Sequence, residues 1–477
     1  MIEKLAAGGR GSFEQDRLGV LKAAQAAQPA ACPGNGTAPA PRREVPHLAS
    51  DSGDAMYSLI EELYPICRSI TGDGVRATLG CLSPYLPLEI VEIPTGTQVL
   101  DWTIPREWNI RDAFIKRSSG ERVVDFGNSN LHVMGYSAPV HALMSLADLR
   151  SHLHTLPAQP DWIPYRTSYY AETWGFCLSH KQFESLGDEV YEVCIDSTLE
   201  DGFLSYGECL IEGESSDEVL ISCHVCHPSL CNDNLSGIVV AAALAQELSR
   251  RPTRYSYRFV FVPGTIGAIA WLARNRSVLE GVKHGLVLTC LGDAGRITYK
   301  KSRGGDAEID RAVAYVLQQR ASKFAIRDFS PDGYDERQYG SPGFNLPVGC
   351  LMRTPHGAFP EYHTSADDPS FVRPAALRDS ARTCLEVIDV IENNRIYCNL
   401  QPFGEPQLGR RGLYESLGGQ VASDFRLAML WLLNMSDGTN SLLDIAAKAS
   451  LPWQSVKEAQ RALCREGLLQ VLDQRPG

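Results

Sequence analysis

The sequence predicts an α/β fold, a mostly parallel sheet with helices on both faces, carrying a β-rich inserted domain and a small helical domain at the end. Three observations lead there. Between 187 and 398, short apolar runs such as "DEVLISCH", "YRFVFVP" and "HGLVLTCLGD" alternate with helical stretches, the order a parallel sheet needs because its crossovers are helices. One of those stretches, "GIVVAAALAQELSRR", is apolar on nearly every side, as a helix pressed between sheet and neighbours would be. From 88 to 186 the texture changes to β-like runs broken by turn residues, rich in aromatics, Pro and Gly ("LEIVEIPTGTQVLDWTIP", "DWIPYRTSYYAETWGFCLS"). That stretch reads as the insertion.

Taken in order, residues 1–50 are rich in Ala, Gly and Pro and bury too little apolar surface to offset chain ordering, so a disordered tail is expected. "DAMYSLIEELYPICRSI" sets Met56, Leu59, Ile60, Leu63 and Ile66 at helical spacing. The α/β domain is therefore assigned to 51–87 and 187–398, interrupted by the insertion at 88–186. "DPSFVRPAALRDSARTCLEVIDVIENN" supplies its closing helix. Beyond a Pro/Gly-rich linker, 399–477 reads as three helices with short turns and a last strand, the texture of a winged helix. Residues 421–477 hold six basic and six acidic side chains. A DNA reader would show a basic excess, so a structural role or an oligomer contact is expected.

The chain has 477 residues, a formal net charge of −12 and 14 cysteines. Negative charge argues against nucleic acid or an anionic membrane as a general partner. No apolar run is long enough to span a bilayer, and no secretory signal is evident, so the expected location is cytoplasmic with reduced thiols. "CHVCH" (223–227) has the C-x-x-C-H spacing of covalent haem attachment, a chemistry that normally follows export. The location therefore disfavours haem.

The same stretch, "SCHVCHPSLCNDNLSG", offers metal chemistry instead. Ligands of parallel α/β sheets gather at the carboxyl ends of the strands. Those ends carry His224 after "EVLISC", Pro263-Gly264 after "YRFVFV" and Asp293 after "GLVLTCLG". His363 in "PEYHTSADD" follows the strand-like "PVGCLMR", and Asp233 lies nine residues past His224. Imidazoles and carboxylates together suit zinc or a similar divalent ion. Each also has a plainer reading: Asp233 could cap a helix, Asp293 could form a turn, and His363 could be a loop histidine held by Asp367 or Asp368. His227 stands in reserve, more in keeping with a supporting position than with ligation.

With "VPGTIGAIAWLARN", "DERQYGSPGFNLPVG" and "FPEYHTSADD" added, the chain resembles bacterial aminopeptidase-like proteins of the zinc-dependent aminopeptidase and carboxypeptidase clan. The resemblance runs from "MYSLIEELYPICRSITGDGVR" to the winged helix. It implies a peptidase-type α/β core and a metal site at His224, Asp233 followed by Asn234, Asp293 and His363. The clan's Glu pair, which gives a general base and a further ligand, has no match: Gly264-Thr265 stands there. A zinc-activated water needs a base to take its proton and return it to the leaving amine. Glu336 is the first substitute, with Asp335 and Glu361 behind it. Losing a ligand Glu also favours one zinc ion over two. The expected activity is metal-dependent hydrolysis of a small peptide or aminoacyl amide. A non-catalytic scaffold and a small-molecule deacylase remain as alternatives.

Overall fold

A computed structural model describes residues 48, 52–413 and 423–472; nearly all of the expected tail lies outside them. The main sheet has eight strands: β1 (Glu89–Pro94), β2 (Phe203–Ile211), β3 (Glu218–His224), β4 (Ser256–Val262), β5 (Val282–Leu288), β6 (Ile297–Lys300), β7 (Phe324–Arg327) and β8 (Val348–Met352). Their spatial order is β1-β2-β4-β3-β5-β8-β6-β7. The central pairs β4–β3, β3–β5 and β5–β8 are parallel, as is β6–β7. Contacts β1–β2, β2–β4 and β6–β8 are antiparallel. Every residue of β3 and β4 is buried, the condition of strands covered on both faces.

The helices follow their sequence signals. Helix α1 (Gly53–Leu63) is capped by Ser52, whose hydroxyl accepts the Ala55 N–H, and it buries Met56, Leu59, Ile60 and Leu63. It ends before Pro65, so Ile66 falls outside it. Helix α2 (Ser236–Leu248) is buried at every position except Glu247. Helices α3 (Ile266–Arg274), α4 (Glu308–Gln319) and α5 (Pro374–Asn393) complete the layers, α5 opening on a proline that suits a first turn. Two apolar clusters result. One gathers α1, α2, α4, α5 and residues of the last domain; the other gathers α3 with Trp108, Phe176 and Val193 of the insertion.

The insertion holds a four-stranded antiparallel sheet, ordered Arg122–Asp125, Glu107–Lys116, Val190–Glu200, Val140–Ser145. The expected limits at 88 and 186 therefore put two strands on the wrong side. Strand β1 pairs with the main sheet, whereas Val190–Glu200 pairs with the insertion. Alternating patterns mark a strand without naming its partner.

The last domain is a winged helix of α6 (Asp424–Met435), α7 (Leu442–Ala449) and α8 (Trp453–Arg465). Its sheet takes Ile396–Asn399 as the middle strand between Asp437–Ser441 and Leu469–Leu472. It docks through side chains: Lys457 of α8 pairs with Asp389 of α5 at 2.6 Å, Arg311 pairs with Asp444, and the Tyr315 hydroxyl donates to the Leu451 carbonyl. Among the described residues no helix is long and apolar enough to cross a membrane.

Candidate metal centre

Strand β3 delivers His224, fully buried, to the carboxyl edge of the sheet. The next turns bring Asp233 back beneath it, with Asp233 Oδ1 2.9 Å from His224 Nε2. Asp367 fixes that loop: its carboxylate accepts the Asn232 N–H at 2.6 Å and the Asp233 N–H at 2.9 Å. Asn234 donates its side-chain amide to the carbonyls of His224 and Leu288 and accepts the Gly237 N–H. It thus braces the strand ends and leaves ligation to its neighbours.

His363 reaches the same carboxylate from the loop after β8, its Nε2 2.9 Å from Asp233 Oδ2. His227 Nε2 lies 3.5 Å from that oxygen. Donor atoms of His224, His227 and Asp233 all fall within 4.8 Å of one another. In tetrahedral zinc, bonds of about 2.0–2.1 Å put neighbouring ligand atoms roughly 3.3 Å apart; the imidazole–carboxylate separations of 2.9 and 3.5 Å match that spacing, while His363 stands outside the three-residue group. Asp233 is fully buried; burial alone would raise its carboxyl pKa, but the facing imidazoles outweigh that and hold it well below the usual range. Burial pushes the His227 imidazole well below its ordinary value, which favours the neutral ring that a metal needs.

His227 therefore sits closer to the centre than its sequence position suggested. The spacing His224-x-x-His227 was the available signal. Its ring Nδ1 lies 3.2 Å from Cys226 Sγ, and the buried Arg68 donates to its carbonyl at 2.9 Å. Tyr334 had no sequence signal of its own. Its ring stacks on His224 at 4.5 Å, and its hydroxyl donates to Asp233 Oδ1 at 2.6 Å.

Asp293 does not join the cluster. Its oxygens accept from the Thr354 hydroxyl (2.5 Å) and N–H (3.1 Å), from the Gly295 N–H (2.6 Å) and from the Asn232 amide (3.1 Å). It ties the β5 and β8 ends together, the turn-forming role. Glu336 is fully buried and ion-paired through Oε1 with Lys300 of β6, its Oε2 left without a partner; Lys300 further donates to the Asp332 and Ser330 carbonyls. Glu336→Gln should cost about 3–5 kcal/mol by leaving a buried ammonium uncompensated. Urea unfolding measures it; unchanged stability with lost turnover would restore Glu336 as the base. Glu361 contributes its carbonyl, which accepts from Thr364 at 3.0 Å (N–H) and 2.8 Å (hydroxyl).

Asp335 is different. It is buried, its Oδ1 accepts the Thr265 N–H at 2.7 Å, and its Oδ2 has no partner. Burial raises its pKa to about 6, against the lowering pull of His224 and the Thr265 N–H. Thr265 sits at φ 62°, ψ −72°, and the Ile266 N–H bonds the Gly264 carbonyl at 2.8 Å. This is a γ-turn of the strained positive-φ kind, unusual for a β-branched residue. A Cβ on Gly264 would lie 3.4 Å from Cys226 Sγ and 3.7 Å from His224 Cβ. The turn where the Glu pair would stand thus abuts the cluster, and Asp335 is hydrogen-bonded to it.

Over residues 57–394 the chain matches the family described as a domain of unknown function, DUF4910, and over 395–471 a winged helix-turn-helix family. The chain belongs to the DUF4910 family. A Clostridium acetobutylicum relative is 54% identical over 425 residues, 89% of this DUF4910 protein and 98% of that one. Its provisional name is a polysaccharide biosynthesis protein with an aminopeptidase-like domain. A crystal structure from the same organism, provisionally called a peptidase, superposes with TM-score 0.85 at 53% identity, covering 89% of this chain and 97% of that one. The Bacillus subtilis zinc aminopeptidase BSAP superposes with TM-score 0.53 at 12% identity over 73% of this chain and 96% of its own. This DUF4910 protein therefore has the zinc-aminopeptidase fold with a C-terminal winged helix.

Proposed function

We propose that this DUF4910 protein is a metal-dependent amide hydrolase that uses one zinc or similar ion. The observation that carries the reading is the convergence of His224, His227 and His363 on the Asp233 carboxylate. His224, His227 and Asp233 would hold the ion, with His363 set against the same carboxylate; the ion would supply Lewis acidity to a substrate carbonyl and lower the pKa of water. Asp335, the buried acid with a free oxygen beside the Gly264-Thr265 turn, takes the proton from the attacking water and hands it to the leaving amine. The Tyr334 hydroxyl, kept protonated by a pKa raised through burial and the nearby Asp233, donates to Asp233 Oδ1 and so orients the shared carboxylate.

Elemental analysis of purified protein should find about one divalent ion per chain, removed by chelation together with amide turnover and restored with it. An ion-bearing protein inert toward a broad amide library would favour the scaffold reading, which the missing Glu pair motivates. The side-chain docking of α8 on α5 supports a structural role for the winged helix.

A further inference from the structure

A second cavity lies along the sheet edge that carries the ion cluster, on the side of β6 and β7. Strand β6 runs antiparallel to β8, with Thr298 opposite Met352. Arg353, one residue past β8, is therefore brought beside the start of β6. Strand β7 runs parallel to β6, with Phe324 opposite Ile297, so Ser322 and Lys323 arrive at the same end. Residues 294–296, the loop into β6, and Asp379 of α5 complete a cavity of about 310 Å³. Pockets that hold small molecules run from about 300 to 1,000 Å³, so there is room for a small ligand.

The charges around this cavity do not balance. Three cations, Arg296, Lys323 and Arg353, line it with one acid, Asp379. That acid is already shared: one oxygen pairs with Arg353 Nη1 at 3.0 Å and the other with Arg320. The Arg353 side chain is only 11% exposed, yet its Nε has no partner. The side chains of Arg296 and Lys323 make no hydrogen bond or ion pair among the described residues. A buried guanidinium N–H without an acceptor is costly, so an incoming anion gains more here than at an open surface. Three cations against one carboxylate leave an excess of two positive charges. A phosphate monoester carries nearly two negative charges, and its oxygens suit guanidinium forks and an ammonium together. A carboxylate would offset half of the excess. We propose that this cavity binds phosphate, free or as the monoester of a small molecule. Asp293 joins it to the ion cluster, accepting from Gly295 at the cavity and from Asn232 in the loop of Asp233. The proposal does not depend on amide hydrolysis.

Isothermal titration calorimetry of sodium phosphate and of glycerol 3-phosphate into the full-length protein, with zinc and after chelation, tests it. Saturable binding is expected in both states. Arg296→Ala and Lys323→Ala should each weaken it about five- to tenfold, the loss of one charge-assisted bond at an exposed position. Both side chains are exposed, so the unfolding midpoint should stay at the wild-type value. Tighter binding of the monoester would assign the site to an organic phosphate, and equal affinity to the free ion. No binding of either ligand, or unchanged affinity in the Arg296→Ala/Lys323→Ala protein, would overturn the proposal. Binding lost on chelation would place the phosphate on the zinc and overturn it equally, leaving the hydrolase reading intact.

Discussion

Asp233→Asn should leave purified protein almost free of bound metal and abolish amide turnover. The two carboxylate oxygens are the common partners of three imidazoles. An asparagine keeps the shape but turns one oxygen into an N–H donor facing an imidazole, and it removes the charge that offsets a dication. Losing a residue that merely supports a ligand typically weakens a site by about 10–100-fold, so removal of the shared ligand should exceed that range. Dialysis against a zinc buffer measures it. Wild-type zinc content in Asp233→Asn would mean that the ion, if any, is held elsewhere. His227→Gln then separates two readings of that ring: a ligand loses zinc, whereas a supporting residue lets the protein keep it and alters only the rate.

Asp335→Asn should do the opposite, sparing the ion and removing the chemistry. Loss of a general base costs about 10²–10⁴ in rate. Burial raises the Asp335 carboxyl to about 6, so the ionised base accumulates as pH rises through that value. Wild-type kcat/KM should climb through about pH 6 and then level, and that limb should vanish in the variant. The same shift has a stability consequence of definite sign. The native pKa lies above that of a free aspartate, about 3.9, so the folded state holds this proton better than the unfolded chain. The associated stabilisation is present below about pH 4 and is lost as pH rises through about 6. Asp335→Asn never buries that charge and should gain denaturant resistance near pH 7–8 while losing activity. A variant that retains both rate and acid limb would reduce Asp335 to a cap on the Thr265 turn.

Much of this architecture was legible in one chain. The continuous burial of β3, β4 and α2 is written as unbroken apolar runs, and topology alone sent His224, Asp233 and His363 toward one edge. Asp293 failed because a strand-end aspartate looks the same whether it faces a cation or the hydroxyl of Thr354. Glu336 failed for a related reason: its partner, Lys300, lies 36 positions earlier on β6, and no local pattern announces such a pairing. Asp335, one residue away, points to the Thr265 turn instead, a distinction of direction that spacing in a loop does not encode. Tyr334 enters through a contact across 101 positions to Asp233, beyond any periodicity argument. The insertion limits slipped because strand pairing, unlike strand formation, is a property of the partner.

Helix α5 lies between α1, α2 and α4 on one side and meets Lys457 of the winged helix on the other. Asp389 supplies half of that ionic tie from the C-terminal part of a helix that also lines the larger apolar cluster. The aminopeptidase-like core and the winged helix thus share a beam, and heat should melt them together in a single calorimetric transition. A shortened protein stopping before Ile396 would present naked apolar surface and is expected to aggregate on expression.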